Sequence, residues 1–440
     1  MFQHPLFRPV RVGITLALTI LLIGLLAACG GSSGAPASSS GPVTITFWSW
    51  VPNLQQAVNL FEKSHPNIKV KLENVGAAAT EYTKLTTALK AGSGAPDVVQ
   101  IEYAFLPQYI LTGKLVDLSQ YGANDIKNDF VPWTWAQVSQ GGKVYAIPQD
   151  SGPMGMLYRE DIFKKYNLPV PTTWDQFAQE AIQLHKDNPR IYLTDFPPSN
   201  GTWFTSLAWQ AGSQPFVVNG TNLKINIDDA PALKVADYWS NLVKAGAVSK
   251  LVDFTNDWYA GLQNGTIATW ITAAWAPTDL EGFAAKSAGL WRAAPLPQWT
   301  AGAQASSNWG GSTDAVTVQS QHPKEAAEFA EWLNSNPSSA QLLSQKLFLF
   351  PAQLSVLSSP SFNTASSFYG GQNVNQVFAT SSQHVNTSFQ WSPFQDYVFT
   401  QLGNQLSSAV DGKITFEQAL HNTQKTVVSY AQAQGFTVSS

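Results

Sequence analysis

The chain has 440 residues, of which 44 % are hydrophobic and only 12 % charged, with a formal net charge of −4. That length exceeds what one hydrophobic core organises, so two lobes or domains are expected. So weak and slightly acidic a balance offers no basic patch and gives no reason to expect nucleic acid or another anionic partner.

The first feature in chain order is a leader. Arg8 and Arg11 precede an apolar run over 12–26, and small residues follow in Leu26-Ala27-Ala28-Cys29. The run is shorter than the roughly 20 residues a spanning helix needs, and the layout is that of a secretory signal. Its end resembles the bacterial lipobox. The resemblance implies a signal peptide over 1–28, cut before Cys29, whose sulfur carries a diacylglyceryl group. Cys29 is the only cysteine, so lipidation leaves no disulfide, thiolate nucleophile or thiolate metal site. Residues 29–42 form a Gly/Ser-rich tether. The match Gly30-Gly31-Ser32-Ser33-Gly34 is not a hydrolase elbow, which requires a strand before it and a helix after it.

Folded structure is expected from Val43. Val43, Ile45 and Phe47 alternate with threonines as in a half-buried strand. Asn53 is placed to cap a helix carrying Leu54, Ala57, Val58 and Phe61 on one face and ending near His65-Pro66. Ile68, Val70 and Leu72 alternate again, so the two strands form a parallel pair with a right-handed crossover. A helix over 82–91, stopped by Gly92-Ser93-Gly94, leads to a strand over 98–101. Further on, 143–147 reads as a strand. Thr173 to Gln176 and Thr415 to Gln418 read as capping boxes of helices reaching about 185 and 432, and Pro323 opens another helix. The Ser-, Asn- and Pro-rich stretch 336–379 is expected to be largely irregular. The fold class is α/β.

Several segments in order resemble the bacterial extracellular solute-binding proteins of the maltose and multiple-sugar type, the receptor subunits of ABC importers. They are Ile45-Thr46-Phe47-Trp48-Ser49-Trp50, then Leu89 to Val99 with its Gly-Ser-Gly-Ala-Pro-Asp turn, then Gly113 to Leu118. Lys143 to Pro148 and Leu157 to Phe163 follow, the latter with Arg159 where the family usually has Asn. Pro171 to Phe177, Gly310 to Thr313 and Ser320 to Ala327 complete the series. The resemblance implies a two-lobed periplasmic-binding-protein fold of type II, with hinge-crossing strands and a central cleft. Carried onto this chain, lobe one is 43–149 with 312–350, and lobe two is 153–300 with 356–440. It also implies a monomer held at the outer face of the cell membrane, a sugar or oligosaccharide ligand, ABC permease subunits as partners, and closure about the hinge as the mechanism.

Sixteen tryptophans against three methionines fit such a ligand, because indole offers a flat apolar face and one N–H. Ligands of open α/β sheets sit at the carboxyl ends of strands, which makes Trp48, Trp50, Glu102, Tyr103 and Asp150 candidates from lobe one. In lobe two the candidates are Trp203, Trp258, Trp275 and Trp309, with Gly311 allowing close approach of a ligand to the backbone. Trp209 is a further candidate of that lobe, and the resemblance adds Trp391 as a cleft aromatic of the C-terminal third, while Trp174, Trp239, Trp270 and Trp332 are expected in the core. No metal or cofactor is expected: the six histidines are scattered, and no His-Glu-x-x-His, calcium-loop or glycine-rich nucleotide motif occurs. Glu102 and Asp150 leave a lipid-anchored glycoside hydrolase open as an alternative, since that chemistry needs two facing carboxyl groups. A sugar sensor or adhesin without transport is the other.

Overall fold

A computed structural model describes residues 41–439; the leader, Cys29 and nearly all of the tether lie outside that range. The first lobe is built on a five-stranded sheet in the order Ile68–Glu73, Val43–Trp48, Val98–Glu102, Ser312–Val316, Ala146–Pro148. The first two strands are parallel and in register from Val43 opposite Ile68 to Trp48 opposite Glu73. Ser312–Val316 enters antiparallel between its neighbours, with Ser312 opposite Glu102 and Thr313 opposite Pro148. Inward residues Ile45 and Phe47 are fully buried. Phe329, on the Pro323–Ser335 helix, meets Phe47 at 5.3 Å and Phe61 at 5.0 Å in edge contacts, and packs the sheet against two helices at once.

Asn53 does not cap the Gln55–Ser64 helix. It takes a left-handed turn at φ 61°, and the cap position, Leu54, offers no side-chain bond. The Gly-Ala-Pro-Asp turn has a clear structural use. Asp97 Oδ2 accepts from the Thr46 N–H at 2.7 Å and from Thr46 Oγ1 at 2.9 Å, while its Oδ1 accepts from Ser320 Oγ at 2.6 Å.

The second lobe centres on a three-stranded antiparallel sheet, Thr269–Ala273, Met154–Arg159 and Trp291–Ala294, with Met154–Arg159 in the middle. Both capping boxes form, opening Trp174–Asp187 and Phe416–Ala433. Trp174, Trp203 and Trp239 share its core, with ring centroids 6.0 and 5.0 Å from Trp239. Arg159 is buried and forms a two-pronged pair with Asp161, both contacts 2.8 Å, while its guanidinium also reaches the Leu262 and Gln263 carbonyls. The charge at this position is thus fully paired within the fold.

The stretch 336–379 is more regular than its composition implies. It holds the helices Pro337–Lys346, Leu354–Leu357 and Val374–Ser382. Asn336 caps the first through Ser338 N at 2.9 Å, with Pro337 at its opening position. Among the described residues, three segments pair with one another where the chain passes between the two central sheets. Pro153 bridges Asn308, and Asp150 bridges Pro351. The Ser151 N–H donates to Phe350 O and the Trp309 N–H to Gly152 O, both at 2.8 Å.

Candidate ligand cleft

Trp50 and Trp48 follow the first strand but differ in setting. Trp48 is 9 % exposed and its Nε1 donates to Glu73 Oε2 at 3.0 Å. Trp50 is partly exposed and stands edge-on to Tyr82 with centroids 6.0 Å apart. Its backbone N–H donates to Gln100 Oε1, which Ser49 Oγ also holds. Of the pair, Trp50 keeps an available face.

Glu102 and Tyr103 end the next strand. Tyr82 Oη donates to Glu102 Oε2 at 3.0 Å and accepts the Glu102 N–H at the same distance. Burial raises the Glu102 pKa, against the lowering effect of the Tyr82 bond. Tyr103 is 1 % exposed and donates from Oη to Asp150 O at 3.0 Å, so, like Trp48, it is a correction: it supports the site from beneath and offers a ligand no face or donor. Asp150 Oδ1 accepts from Ser312 N at 2.6 Å. Burial pushes the Asp150 pKa up to about 7; the Ser312 N–H opposes this, and the Glu102 charge adds to it.

Gly310 and Gly311 run beside this group with φ of 83° and 84°, a conformation costly for any side chain. A methyl on Gly311 would lie 3.0 Å from Tyr103 Cε2 and 3.2 Å from Asp150 O; one on Gly310 would lie 3.3 Å from Trp275 Nε1. The structure thus brings Glu102, Tyr103, Asp150 and Gly311 together at the hinge and sets Trp275 next to them. Trp275 is partly exposed, donates from Nε1 to Trp309 O at 2.9 Å, and meets the Trp309 ring at 5.0 Å. Trp309 itself is 7 % exposed.

Trp203 and Trp258 are corrections. They are 2 % and 0 % exposed, and their indole N–H groups are already spent on Ile271 O and Asp195 Oδ2. With neither face nor donor free, both belong to the core. Trp209 is buried between the lobes, stacked on Phe389 at 4.1 Å and edge-on to Trp133 at 6.3 Å.

Sequence reasoning missed Asn200, Asp253 and Phe254. Asn200 caps the Gly201–Gln210 helix through Trp203 N and donates to Asp253 Oδ2 at 2.6 Å. Phe254 has φ 60° and is 44 % exposed. Its ring lies 6.2 Å from that of Trp275 and 6.3 Å from that of Trp309. No periodicity marks these loop residues, and only a left-handed phenylalanine, invisible in sequence, signals them.

Contacts link all of these into one circuit. Tyr82 touches Phe105 (4.7 Å), and Phe105 touches Phe399 of the second lobe (6.3 Å). Phe399 O lies 2.5 Å from where a Gly201 side chain would begin. Asn200, Asp253, Phe254, Trp275 and the two glycines then lead back to Tyr103. The circuit passes through both lobes and the hinge. It combines aromatic faces with carboxylates, and among the described residues no Lys, Arg or His forms an ion pair with Glu102, Asp150, Asp195 or Asp253. Nor do the described residues gather three metal-ligating side chains. Apolar walls with a few fixed acceptors suit an uncharged ligand rich in hydroxyls and C–H faces.

Known proteins show the same architecture. A sequence profile described as bacterial extracellular solute-binding protein matches residues 48–340. An ABC transporter associated binding protein from B. animalis subsp. lactis Bl-04, solved in complex with beta-1,6-galactobiose, is 33 % identical. It covers 91 % of this chain and 100 % of its own, at a TM-score of 0.77. The galacto-N-biose-/lacto-N-biose I-binding protein of an ABC transporter from Bifidobacterium longum is 28 % identical, with the same coverage and a TM-score of 0.81. The arabinooligosaccharide-binding protein of Bacillus subtilis is 24 % identical over 427 residues, 93 % of this chain and 95 % of that one.

Proposed function

Because this chain belongs to the bacterial extracellular solute-binding protein family, we propose that it captures a sugar or short oligosaccharide between its lobes and delivers it to an ABC-type permease. The observation that carries the reading is the circuit of aromatic rings and carboxyl groups without ion pairs that joins both lobes through the hinge. Relatives of similar length bind arabinooligosaccharide, beta-1,6-galactobiose and lacto-N-biose, which supports a saccharide over an ion or amino acid. A ligand held by both lobes stabilises the closed arrangement, and the permease reads that shift in population. Lobe one as 43–149 with 312–350, and lobe two as 153–300 with 356–440, are the bodies that move. The lipid on Cys29 keeps the receptor at the outer face of the membrane, where the permease opens.

The test is a thermal-shift screen and calorimetric titration of the purified chain against neutral di- and trisaccharides, with chromatography of the sugar afterwards. The expected result is a raised melting temperature, equivalent to about 2.7 kcal/mol at a ligand concentration of 100 Kd, with the sugar recovered intact. Hydrolysed sugar would replace the receptor with the glycosidase that Glu102 and Asp150 leave open. For the anchor, Cys29→Ser should move the protein from the membrane fraction to the soluble one; an unchanged distribution refutes it.

A further inference from the structure

Phe254 combines three properties that packing alone does not call for. Its backbone sits at φ 60°, where a bulky side chain is disfavoured. Its ring is 44 % exposed. Yet the covered side of that ring is backed by indoles, with Trp258 at 5.4 Å and Trp270, Trp275 and Trp309 at 6.2 to 6.3 Å. A ring on a left-handed turn, set against an aromatic bed and still 44 % exposed, has surface left for a ligand.

Its neighbour supplies the polar half. Asp253 Oδ2 is fixed by Asn200 Nδ2 at 2.6 Å, and among the described residues no side chain donates to Oδ1. The bed beneath is itself held in place, since Trp258 Nε1 donates to the buried Asp195 at 2.9 Å. Asp195 and Asp253 lie close enough for the Asp253 charge to oppose ionisation of Asp195, and no cation offsets either one among the described residues.

We propose that Phe254 and Asp253, positioned by Asn200, form a saccharide subsite of the second lobe that accepts neutral sugar rings and rejects acidic ones. The proposal rests on the sugar-binding reading above. Phe254 stacks on a C–H face, and Asp253 accepts hydroxyl hydrogens. A uronate or phosphorylated sugar placed there would meet Asp253 with no cation to neutralise it, and like charges in a half-buried site repel strongly.

The test uses the full chain at pH 8 with β-1,6-galactobiose, lacto-N-biose and lactose as neutral probes and digalacturonate as the acidic one. Binding is read by calorimetry, and the melting temperature is taken without ligand. For the neutral probe that binds best, Phe254→Gly should weaken Kd tenfold or more while leaving the ligand-free melting temperature equal or higher, because glycine relieves the left-handed turn. Asp253→Asn, which keeps size and shape, should weaken the neutral probe about tenfold. Digalacturonate should not bind the native chain. If no neutral probe binds the native chain, the sugar reading fails, and this one with it. If a probe binds but Phe254→Gly leaves Kd unchanged, or lowers stability and affinity together, the subsite is overturned while the sugar reading stands. Digalacturonate binding as tightly as the neutral probe overturns the charge exclusion.

Discussion

Gly152 and Trp309 cross so closely that a methyl on Gly152 would stand 2.0 Å from the Trp309 carbonyl oxygen. The same two residues are joined by the Trp309 N–H donating to Gly152 O, and Gly152 N donates to Asn308 Oδ1 at 2.8 Å. Here the obstacle to a side chain is backbone on both sides, so no rotamer can relieve it. Gly152→Ala should therefore cost at least about 3 kcal/mol, above the usual range for overpacking, measured by urea unfolding. A loss under 1 kcal/mol would mean that the crossing strands slide freely.

Trp50 and Trp174 should separate binding from stability. Trp174 is 1 % exposed and donates from Nε1 to Gln210 Oε1 at 3.0 Å. Trp174→Ala is expected to cost about 3–5 kcal/mol and leave the affinity of the remaining folded protein unchanged. Trp50→Ala should do the reverse, costing under about 1.5 kcal/mol while weakening sugar binding at least tenfold. Calorimetry beside denaturant curves checks both, and equal effects of the two variants on Kd would remove Trp50 from the cleft.

Stability should fall as pH rises. Asp314 is fully buried without a cation, its Oδ2 held by Gln149 Nε2 at 3.0 Å and Asn334 Nδ2 at 2.7 Å. Burial raises its pKa to about 7, and the Asp150 charge pushes the same way. Asp150 also rises to about 7, and the buried Glu81 to about 8. Between the ordinary carboxylate pKa and these values, the folded chain retains protons that the unfolded chain has released. The stability they contribute is complete below about pH 4 and is lost as pH climbs through 7 to 8. The melting temperature should therefore drop from pH 5 to pH 8, with a shallower slope in Asp314→Asn. A rise over that interval contradicts the assignment.

Asp97 ties the first strand to the segment after Ser312–Val316 through three short hydrogen bonds. Bonds to a charged acceptor contribute more than neutral ones, so Asp97→Ala should cost about 2–4 kcal/mol with little change in Kd. A larger effect on binding than on unfolding would argue for a role in the cleft.

Elements whose signal is local were legible in the sequence. Alternation marked Val43–Trp48 and Ile68–Glu73, and reciprocal side-chain bonds at Thr173 and Thr415 follow directly from residue type and spacing. Asn53 misled because its side chain suits both a cap and a left-handed turn, and only the path of the chain decides between them. In 336–379, composition hid an explicit start signal in Asn336-Pro337. That Glu102, Tyr103, Asp150 and Gly311 lie near one another was legible because strand ends in an α/β sheet converge; that Trp48 turns inward to Glu73 was not. Trp203 and Trp258 were not separable from Trp275, since whether an indole faces inward depends on partners such as Ile271 and Asp195 that are distant in the chain. Phe254 was missed because its distinction is a backbone angle.

The place of Ser312–Val316 between Val98–Glu102 and Ala146–Pro148 also sets an order of assembly. All three strands of the second lobe's central sheet, the last of them Trp291–Ala294, leave the ribosome before this one. Until it arrives, the two first-lobe strands that will flank it have no partner on their facing edges. The half of the molecule that is made first must therefore wait for a distant piece of chain, and pairings so far apart in sequence form slowly. Of the two central sheets, that of lobe one is therefore the later to be complete, although its first strand is made earliest.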